Sequence, residues 1–582
     1  MGIPSYFSWL VRHFEKKIIG AQSPCHPVHN FYLDFNCAIH PISRSHSEYS
    51  IDKMCDNVVV YLEYLINYVK PVDLVFIAID GVAPVAKIKQ QRLRRYKSVK
   101  ETAEMNELKK QFGVEIPHNA KDFNMISPAT EFMSILSAKI NLFLKKCRNT
   151  RIIFSDASVP SEGEHKILQH IKTQPIEKNC VIYGLDSDLI MLSLCTRRDN
   201  VSLIRESTLI RNNNVDIDLD KFPRLDYFLV NELKKLLFST LVTNKNIEIF
   251  TNANQFDLST KLSMGDLYDQ IACQEYDMEC IIKDYIFMSF FFGNDFLPAF
   301  STLKIREHGI EKIINAYHET LKNNDDYLCR ADLTINETFF IDFIRNLSLG
   351  EEESLKQQKN TRDKRVLTHF SSTPTDYADA VDQYQKIEHL SKDYINVYQN
   401  GWQERYYHHY FHMRLDNVSQ RSIHIDQICH DYLVGIQWNM KYYFDKCVDW
   451  YWFYNYDATP LLADFCDYLE KNRETINQVS FTHDHPVKPY HQLMMILPPQ
   501  SANLLPAPFR AYMLADESPL IHYYPIDFEL DHYGKQFRWE THPKIPFMDP
   551  QELPQYLDRL ENQLTPEEYS RGQIGHPRVF SL

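Results

Sequence analysis

The sequence is poor in glycine, with 15 in 582 residues against 35 tyrosines and 35 phenylalanines. That balance excludes collagen-like and glycine-rich low-complexity chains. Zinc-type Cys-x-x-Cys pairs are missing among the 12 scattered cysteines. A zinc ribbon therefore has no support, and dispersed thiols suit a reducing compartment. Long apolar runs are missing too. "YIFMSFFF" (Tyr285–Phe292) stops at "GND" and is far too short to cross a bilayer, so no membrane association is expected. The N-terminus "MGIPSYFSWLVRHF" lacks the small-residue cleavage site of a secretory signal. Tyr6 stands where a myristoylation signal wants Ser or Thr. No long Lys/Arg run suggests nuclear import, and a cytoplasmic location is the expectation. Net charge is −14, which argues against binding a polyanion through bulk charge. A phosphate-bearing substrate would need cations concentrated in one place.

What is present points to a large packed core, since 44% of residues are hydrophobic and 13% aromatic. Four apolar runs end in acids: "NFYLDFN" in Asp34, "DLVFIAIDG" in Asp80, "RIIFSD" leading into "SDASVPSEGEHKI", and "NCVIYGLDSDLIMLSL" in Asp186 and Asp188. Helical patterns lie between them, as at Ile51–Val69 and Glu131–Cys147. Strands alternating with helices predict an α/β fold with a mostly parallel sheet, whose site lies at the carboxyl ends of the strands. The stretch 351–374 is charged and apolar-poor and reads as a linker. It separates residues 1–350 from a second, Tyr-, His- and Trp-rich region at 375–560, and 561–582 reads as a peripheral tail.

Asp34, Asp80, Glu162, Glu164, Asp186, Asp188 and Asp295 (the last in "FFFGNDFLPAF") form a candidate acidic cluster. Any one of them alone is as readily a helix cap or turn residue. Taken together, their mutual repulsion calls for cations. Oxygen ligands without nearby His or Cys partners suit Mg²⁺ or Mn²⁺, and two such ions can cleave a phosphodiester. After Pro84, "VAKIKQQRLRRYKS" reads as a helix that places Lys87, Gln91, Arg94 and Arg95 on one face, with Lys89 and Arg92 pointing elsewhere. That face is either a solvated basic surface or an anion pocket. Its position directly after Asp80 favours the pocket.

"MGIPSYFSWL", "YLDFNCAIHP", "AIDGVAPVAKIKQQRLRRYKS", "SPATEFM", "SEGEHKI", "YGLDSDLIML" and "FFFGNDFLPAF" resemble, in order and spacing, the motifs of the 5′→3′ exoribonuclease (Xrn) family. "GIQWNMKYYF", "WYWFYNY", "QLMMILPPQSANLLP" and "FELDHYGKQFRWE" extend the resemblance to about Leu560. It implies a PIN/FEN-like nuclease core with a second helix-rich region enclosing the site. The implied activity is processive degradation of 5′-monophosphorylated single-stranded RNA to nucleoside 5′-monophosphates with two Mg²⁺ ions, by a chain expected to be a monomer. The seven acids then match metal-binding positions. Lys87, Gln91, Arg94 and Arg95 match the 5′-phosphate pocket, and His40 and Trp452 match rings that sandwich the first base, with Trp450 as the neighbouring alternative. Ser161 and Cys37 stand where the family usually has glycine, and Asn455 and Asp457 where it tends to have Pro and His. A structure-specific DNA flap nuclease and a non-catalytic RNA-binding scaffold are the alternatives.

Overall fold

A computed structural model describes residues 2–581 apart from 25, 46–49, 117–120, 148–149, 185, 208–221, 243–275, 369–372, 391 and 414–417. Its centre is one eight-stranded sheet. From the chain's first part come β1 (Ile19–Gly20), β2 (Asn30–Asp34), β3 (Leu74–Ala78), β4 (Arg151–Ser155), β5 (Cys180–Tyr183), β6 (Val201–Glu206) and β7 (Leu225–Leu229). The short hairpin strands β8 (Leu530–Asp531) and β9 (His542–Pro543) lie apart, and β10 (Arg578–Phe580) returns to the main sheet. The spatial order is β1-β7-β6-β5-β2-β3-β4-β10. β2 to β6 run parallel, whereas β1, β7 and β10 pair antiparallel. This is the expected mostly parallel α/β sheet.

Burial explains why the strands read as unbroken apolar runs. β2, β3 and β5 are buried at every residue, because helices cover both faces of a parallel sheet. Alternate residues serve different layers. Phe31 and Leu33 face α2 (Asn36–Ser45), α3 (Ile51–Val69) and α5 (Glu131–Leu144), whereas Tyr32 packs with α1 (Tyr6–Ile18), α6 (Gly163–Lys172) and α7 (Asp188–Cys195). α3 spans the predicted residues, capped by the Ser50 hydroxyl accepting from Lys53 N at 3.2 Å.

The long basic helix α4 (Val85–Gln111) is the seam between the two regions. Val85 and Ile88 share a core cluster with Leu493, Met495, Leu497 and Phe509. Arg92, fully buried, donates from Nη1 to Met495 O at 2.8 Å, from Nε to Pro546 O at 3.2 Å, and to Tyr523 O. It is a clamp between regions, consistent with its pointing away from the pocket face.

Two boundary expectations need correction. Most of the supposed linker is a helix, Glu351–Thr368. Its acidic first turn, Arg365 in the last turn and the pairs Lys356–Glu352 (2.6 Å) and Lys359–Asp363 (2.9 Å) favour a helix without an apolar stripe. The supposed tail supplies β10, which pairs with β4 at Val579↔Ile153. Three residues with an exposed edge carry no alternation to read, and their pairing is set by a partner strand far away in sequence. Among the described residues no helix is long and apolar enough to cross a membrane.

Candidate active site

The parallel register places carboxylates at one edge. Asp34 ends β2 opposite Ala78, and Ala78 lies opposite Ser155 at the end of β4. Asp80 follows β3 by two residues, Glu162 is the N-cap of α6, Glu164 lies in its first turn, and Asp188 opens α7. Asp80 is fixed by reciprocal bonds with Asn36, whose Nδ2 donates to Oδ2 at 3.0 Å and whose Oδ1 accepts from Asp80 N at 3.1 Å. The Gly163 amide donates to Asp80 Oδ1 at 2.6 Å, setting a helix N-terminus against the acid. Gly163 must lack a side chain. A Cβ there would stand 2.6 Å from Asp34 Oδ1 and 3.3 Å from Asp80 Oδ1.

Lys87 sits at the centre of these acids. Its Nζ contacts Glu162 Oε2 and lies 2.7 Å from Asp295 Oδ2, with both carboxylates 5% exposed. Burial opposes its charge, but Asp295, Glu162, Glu164 and Asp188 outweigh burial and hold its pKa well above the usual lysine value. The carboxylates show the strain of crowding. Burial, then Asp80, raises Asp34; burial, then Asp188 and Glu162, raises Glu164; burial and Asp295 push Asp188 up to about 7. The nearby positive charges do not offset all of this repulsion, since Asp34, Glu164 and Asp188 stay raised, and Asp188 Oδ1 is buried without a hydrogen-bond partner among the described residues. Glu162, Glu164 and His165 bring ligand atoms within 4.8 Å of one another. The donor set therefore fits divalent cations.

Beside the acids opens a cavity of about 1830 Å³, bordered by Asp34, Asp80, Asp186 and Asp295 on one side and by His40, Gln91, Arg94 and Arg95 on the other. Glu162, Glu164 and Asp188 lie behind this lining. Arg95 donates from Nη2 to Ser127 Oγ at 2.8 Å, and its Nη1 is buried without a partner. Burial and the neighbouring Arg94 bring its pKa down to about 9. An anion placed here would relieve both conditions. Burial, with Arg94, Arg44 and Arg95, depresses His40 to about 3, so its ring is neutral at pH 7. Lys89, expected to point elsewhere, also borders the cavity, because the second region folds around more than one face of α4.

The sequence-derived partner of His40 is placed differently. Half-buried Trp452 is not among the residues that border this cavity; its ring stacks 4.9 Å from the buried Trp438 at 26°, against the core. Trp450 borders a separate cavity of about 700 Å³ with Ser161 and His165. Ser161 adopts φ 92°, the left-handed region that favours glycine. Its amide donates to Val82 O at 2.8 Å and its carbonyl accepts from Gly81 N at 3.0 Å, locking the loop before Glu162 to the loop after β3. Cys37 places its thiol 3.1 Å from Asp34 Oδ2.

Several positioning residues escaped the sequence reading. They are Asn36, Gln90 (Nε2 to Asp295 Oδ1, 3.4 Å), His165, and Tyr442, whose hydroxyl donates to Glu162 Oε1 at 2.7 Å. Asn294 could have been found from its place beside Asp295: its Oδ1 accepts from Phe296 N and Leu297 N at 3.0 and 2.9 Å and shapes that turn. Tyr442 arrives from 280 residues away and leaves no local signal.

An open parallel sheet that gathers acids at its carboxyl edge, beside a cation-lined cavity, defines a nuclease of PIN-like architecture. The model for the XRN 5′-3′ exonuclease N-terminus matches residues 1–207, and that for the Xrn1 helical domain matches 275–389 and 348–580. The chain belongs to the XRN 5′-3′ exonuclease family. It is 28% identical to the 5′-3′ exoribonuclease 2 homolog of Drosophila melanogaster, with 100% of this chain and 73% of that protein aligned. It is 27% identical to 5′-3′ exoribonuclease 2 of Gallus gallus (100% and 72%). It is 29% identical to 5′-3′ exoribonuclease 1 of Homo sapiens, where 98% of this chain covers 35% of that protein.

Proposed function

We propose that the protein is a 5′→3′ exoribonuclease that degrades 5′-monophosphorylated single-stranded RNA processively, releasing nucleoside 5′-monophosphates. The single observation that supports this best is the joining of two opposite fields in one cavity: buried carboxylates around Lys87, and the Arg94–Arg95–Gln91 face of the same helix. A monophosphate fits a compact cationic face by charge-assisted bonds. On this reading a cap or triphosphate, with more bulk and charge, is a poorer substrate than a monophosphate.

Asp34, Asp80, Glu162, Glu164, Asp186, Asp188 and Asp295 would hold two Mg²⁺ ions, with Mn²⁺ able to substitute. When bound, such ions supply an activated water and stabilise the leaving 3′-oxygen. The chain's own groups do the positioning. Arg94 and Arg95 hold the terminal phosphate, and neutral His40 offers a ring face to the first base. Asn36 and the Gly163 amide orient the Asp80 carboxylate. Lys87, which faces Glu162 and Asp295, also borders the cavity and would meet substrate phosphate there. Trp452 packs on Trp438, and its ring edge and the Leu297 side chain both crowd Gly435, where a Cβ would stand 3.0 and 2.6 Å from them.

The test is a set of 3′-labelled RNAs with monophosphate, triphosphate or hydroxyl 5′ ends, in Mg²⁺ and in EDTA, beside DNA flaps. Only the monophosphorylated RNA should disappear rapidly, and only with Mg²⁺. Equal loss of all three ends would refute the phosphate pocket, preferential flap cleavage would favour a DNA nuclease, and no cleavage at all would favour a scaffold.

A further inference from the structure

Further cations border the cavity beyond the Arg94–Arg95 pair, interspersed with Glu101, Asp457, Asp531 and Glu540. Lys89 and Lys97 of α4, Lys304, Lys535 and His542 all border it. These groups crowd one another. Burial and then Lys304 hold Lys535 below the usual lysine value. Burial brings Lys97 down to about 8, with Glu101 opposing and Lys535 and Arg538 adding to the effect. Burial, Lys535, Lys97 and Lys89 bring His542 to about 3. The carboxylates at hand are loose partners, with Asp457 at 3.6 Å from Lys89 and Glu101 at 3.9 Å from Lys97. Lys89, Lys97 and Lys304 donate to the backbone carbonyls of Tyr454 (2.8 Å), Thr541 (3.0 Å) and Gly534 (3.2 Å), which fixes their ammonium groups along the cavity without neutralising them.

At the open end stands Trp539, which borders the same cavity yet is 47% exposed. Its ring lies nearly parallel to Phe537 (12°), and the Arg306 guanidinium covers both rings, 4.7 Å from Trp539 and 5.6 Å from Phe537. Arg306 is itself fixed by donating to Ser5 Oγ at 3.0 Å. With Arg306 on one face and nearly half of the residue still exposed, the uncovered part of Trp539 beside lysines is a platform for a nucleobase.

We propose that this stretch of the lining is the approach path of the RNA strand: phosphates downstream of the scissile bond run along Lys97, Lys535 and Lys304, and a base stacks on Trp539 at the mouth. The proposal rests on the exoribonuclease reading and adds a length dependence to it. A long strand reaches the mouth, whereas a trinucleotide occupies only the inner pocket. Trp539→Ala, Trp539→Phe and Lys535→Gln are compared with the unaltered enzyme on 5′-monophosphorylated trinucleotide and 30-nucleotide RNAs. Trp539→Ala should lower kcat/KM about tenfold on the long RNA, as expected for one lost stacked base, and leave the trinucleotide rate unchanged. Trp539→Phe should restore most of the loss. Lys535→Gln should reduce the salt dependence on the long RNA by about 0.7 in log–log slope, as for one single-strand phosphate contact. Equal losses on both lengths, or no loss on the long RNA, would overturn the path. An unaltered enzyme inactive on both lengths would instead overturn the exoribonuclease reading itself. Should Trp539→Ala fail to fold, Lys535→Gln still decides, because a salt slope unchanged on the long RNA overturns the proposal.

Discussion

Lys87→Met separates the two kinds of positive charge that can sit among the acids. In the metal-free protein the Lys87 ammonium contacts Glu162 and lies 2.7 Å from Asp295, and the lysine side chain is only 15% exposed. Removing one partner from a buried ion pair costs about 3–5 kcal/mol, because the other charges remain buried and uncompensated. Methionine keeps the volume, so little of the loss comes from a cavity. Unfolding entropy of about 2.1 cal/mol/K per residue over 582 residues makes one degree worth about 1.2 kcal/mol if the chain unfolds as one unit. The variant in EDTA should therefore melt about 3–4 °C lower. With millimolar Mg²⁺ the divalent charge replaces the ammonium and most of the deficit should vanish. Calorimetry should find Mg²⁺ binding tighter in the variant, since it no longer displaces a lysine. Melting curves with Mg²⁺ and with EDTA are the assay. An EDTA melting point equal to the parent's, or a deficit that Mg²⁺ leaves intact, would refute the view that Lys87 stands in for a cation.

Gly163→Ala should preserve the fold and cut RNA hydrolysis about a hundredfold, the scale of an ångström-level displacement in a site, because its methyl would push Asp34 aside; activity within a few-fold of the parent would remove that contact from the argument. Asp188 titrates near 7 and Glu164 and Asp34 are also raised, each by burial first. Carboxyls raised in the folded state stabilise it below their unfolded values, and that stability is lost as pH rises through the folded ones. The metal-free protein should thus lose stability between about pH 4 and pH 7 on account of these groups, and the gain in melting temperature on adding Mg²⁺ should grow over the same range; a gain independent of pH would count against these acids as ligands. Ser161→Gly should relieve about 1–2 kcal/mol of left-handed strain against about 0.5–1 kcal/mol of added chain entropy, a net gain of up to about 1.5 kcal/mol in urea unfolding, and a clear loss would show that φ 92° is not strained.

Much of the framework was legible because its causes are local. Apolar runs of four to six residues, each leading to an acid, became β2, β3, β4 and β5, and the 3.6-residue periodicity of Ile51–Val69 became α3 over those residues. Strand direction then sends Asp34, Asp80, Glu162 and Asp188 to one edge, since parallel strands share a carboxyl end. Helical spacing puts Lys87, Gln91, Arg94 and Arg95 on one face; all four border the cavity, but so do Lys89 and Gln90 from other faces, because the second region wraps α4.

The rest needed the tertiary structure. Lys87 could be placed on a helix face by counting, but its contact with Glu162 and Asp295 depends on how α4, α6 and the loop after Phe292 dock. Trp452 and Trp450 differ by two residues and face different surroundings, one against Trp438 and one toward a second cavity. The strand at Arg578–Phe580 exists because β4 offers an unpaired edge, a property of the partner rather than of the segment. The wall of Lys97, Lys304 and Lys535 assembles residues hundreds of positions apart. Periodicity and strand-end chemistry are written in a few neighbouring residues, so the sequence by itself determined strands β2 to β5, their acidic edge and the basic helix. Which charges meet across that edge is decided by the packing of distant segments, where burial sets both the energy of each charge and the partners within reach.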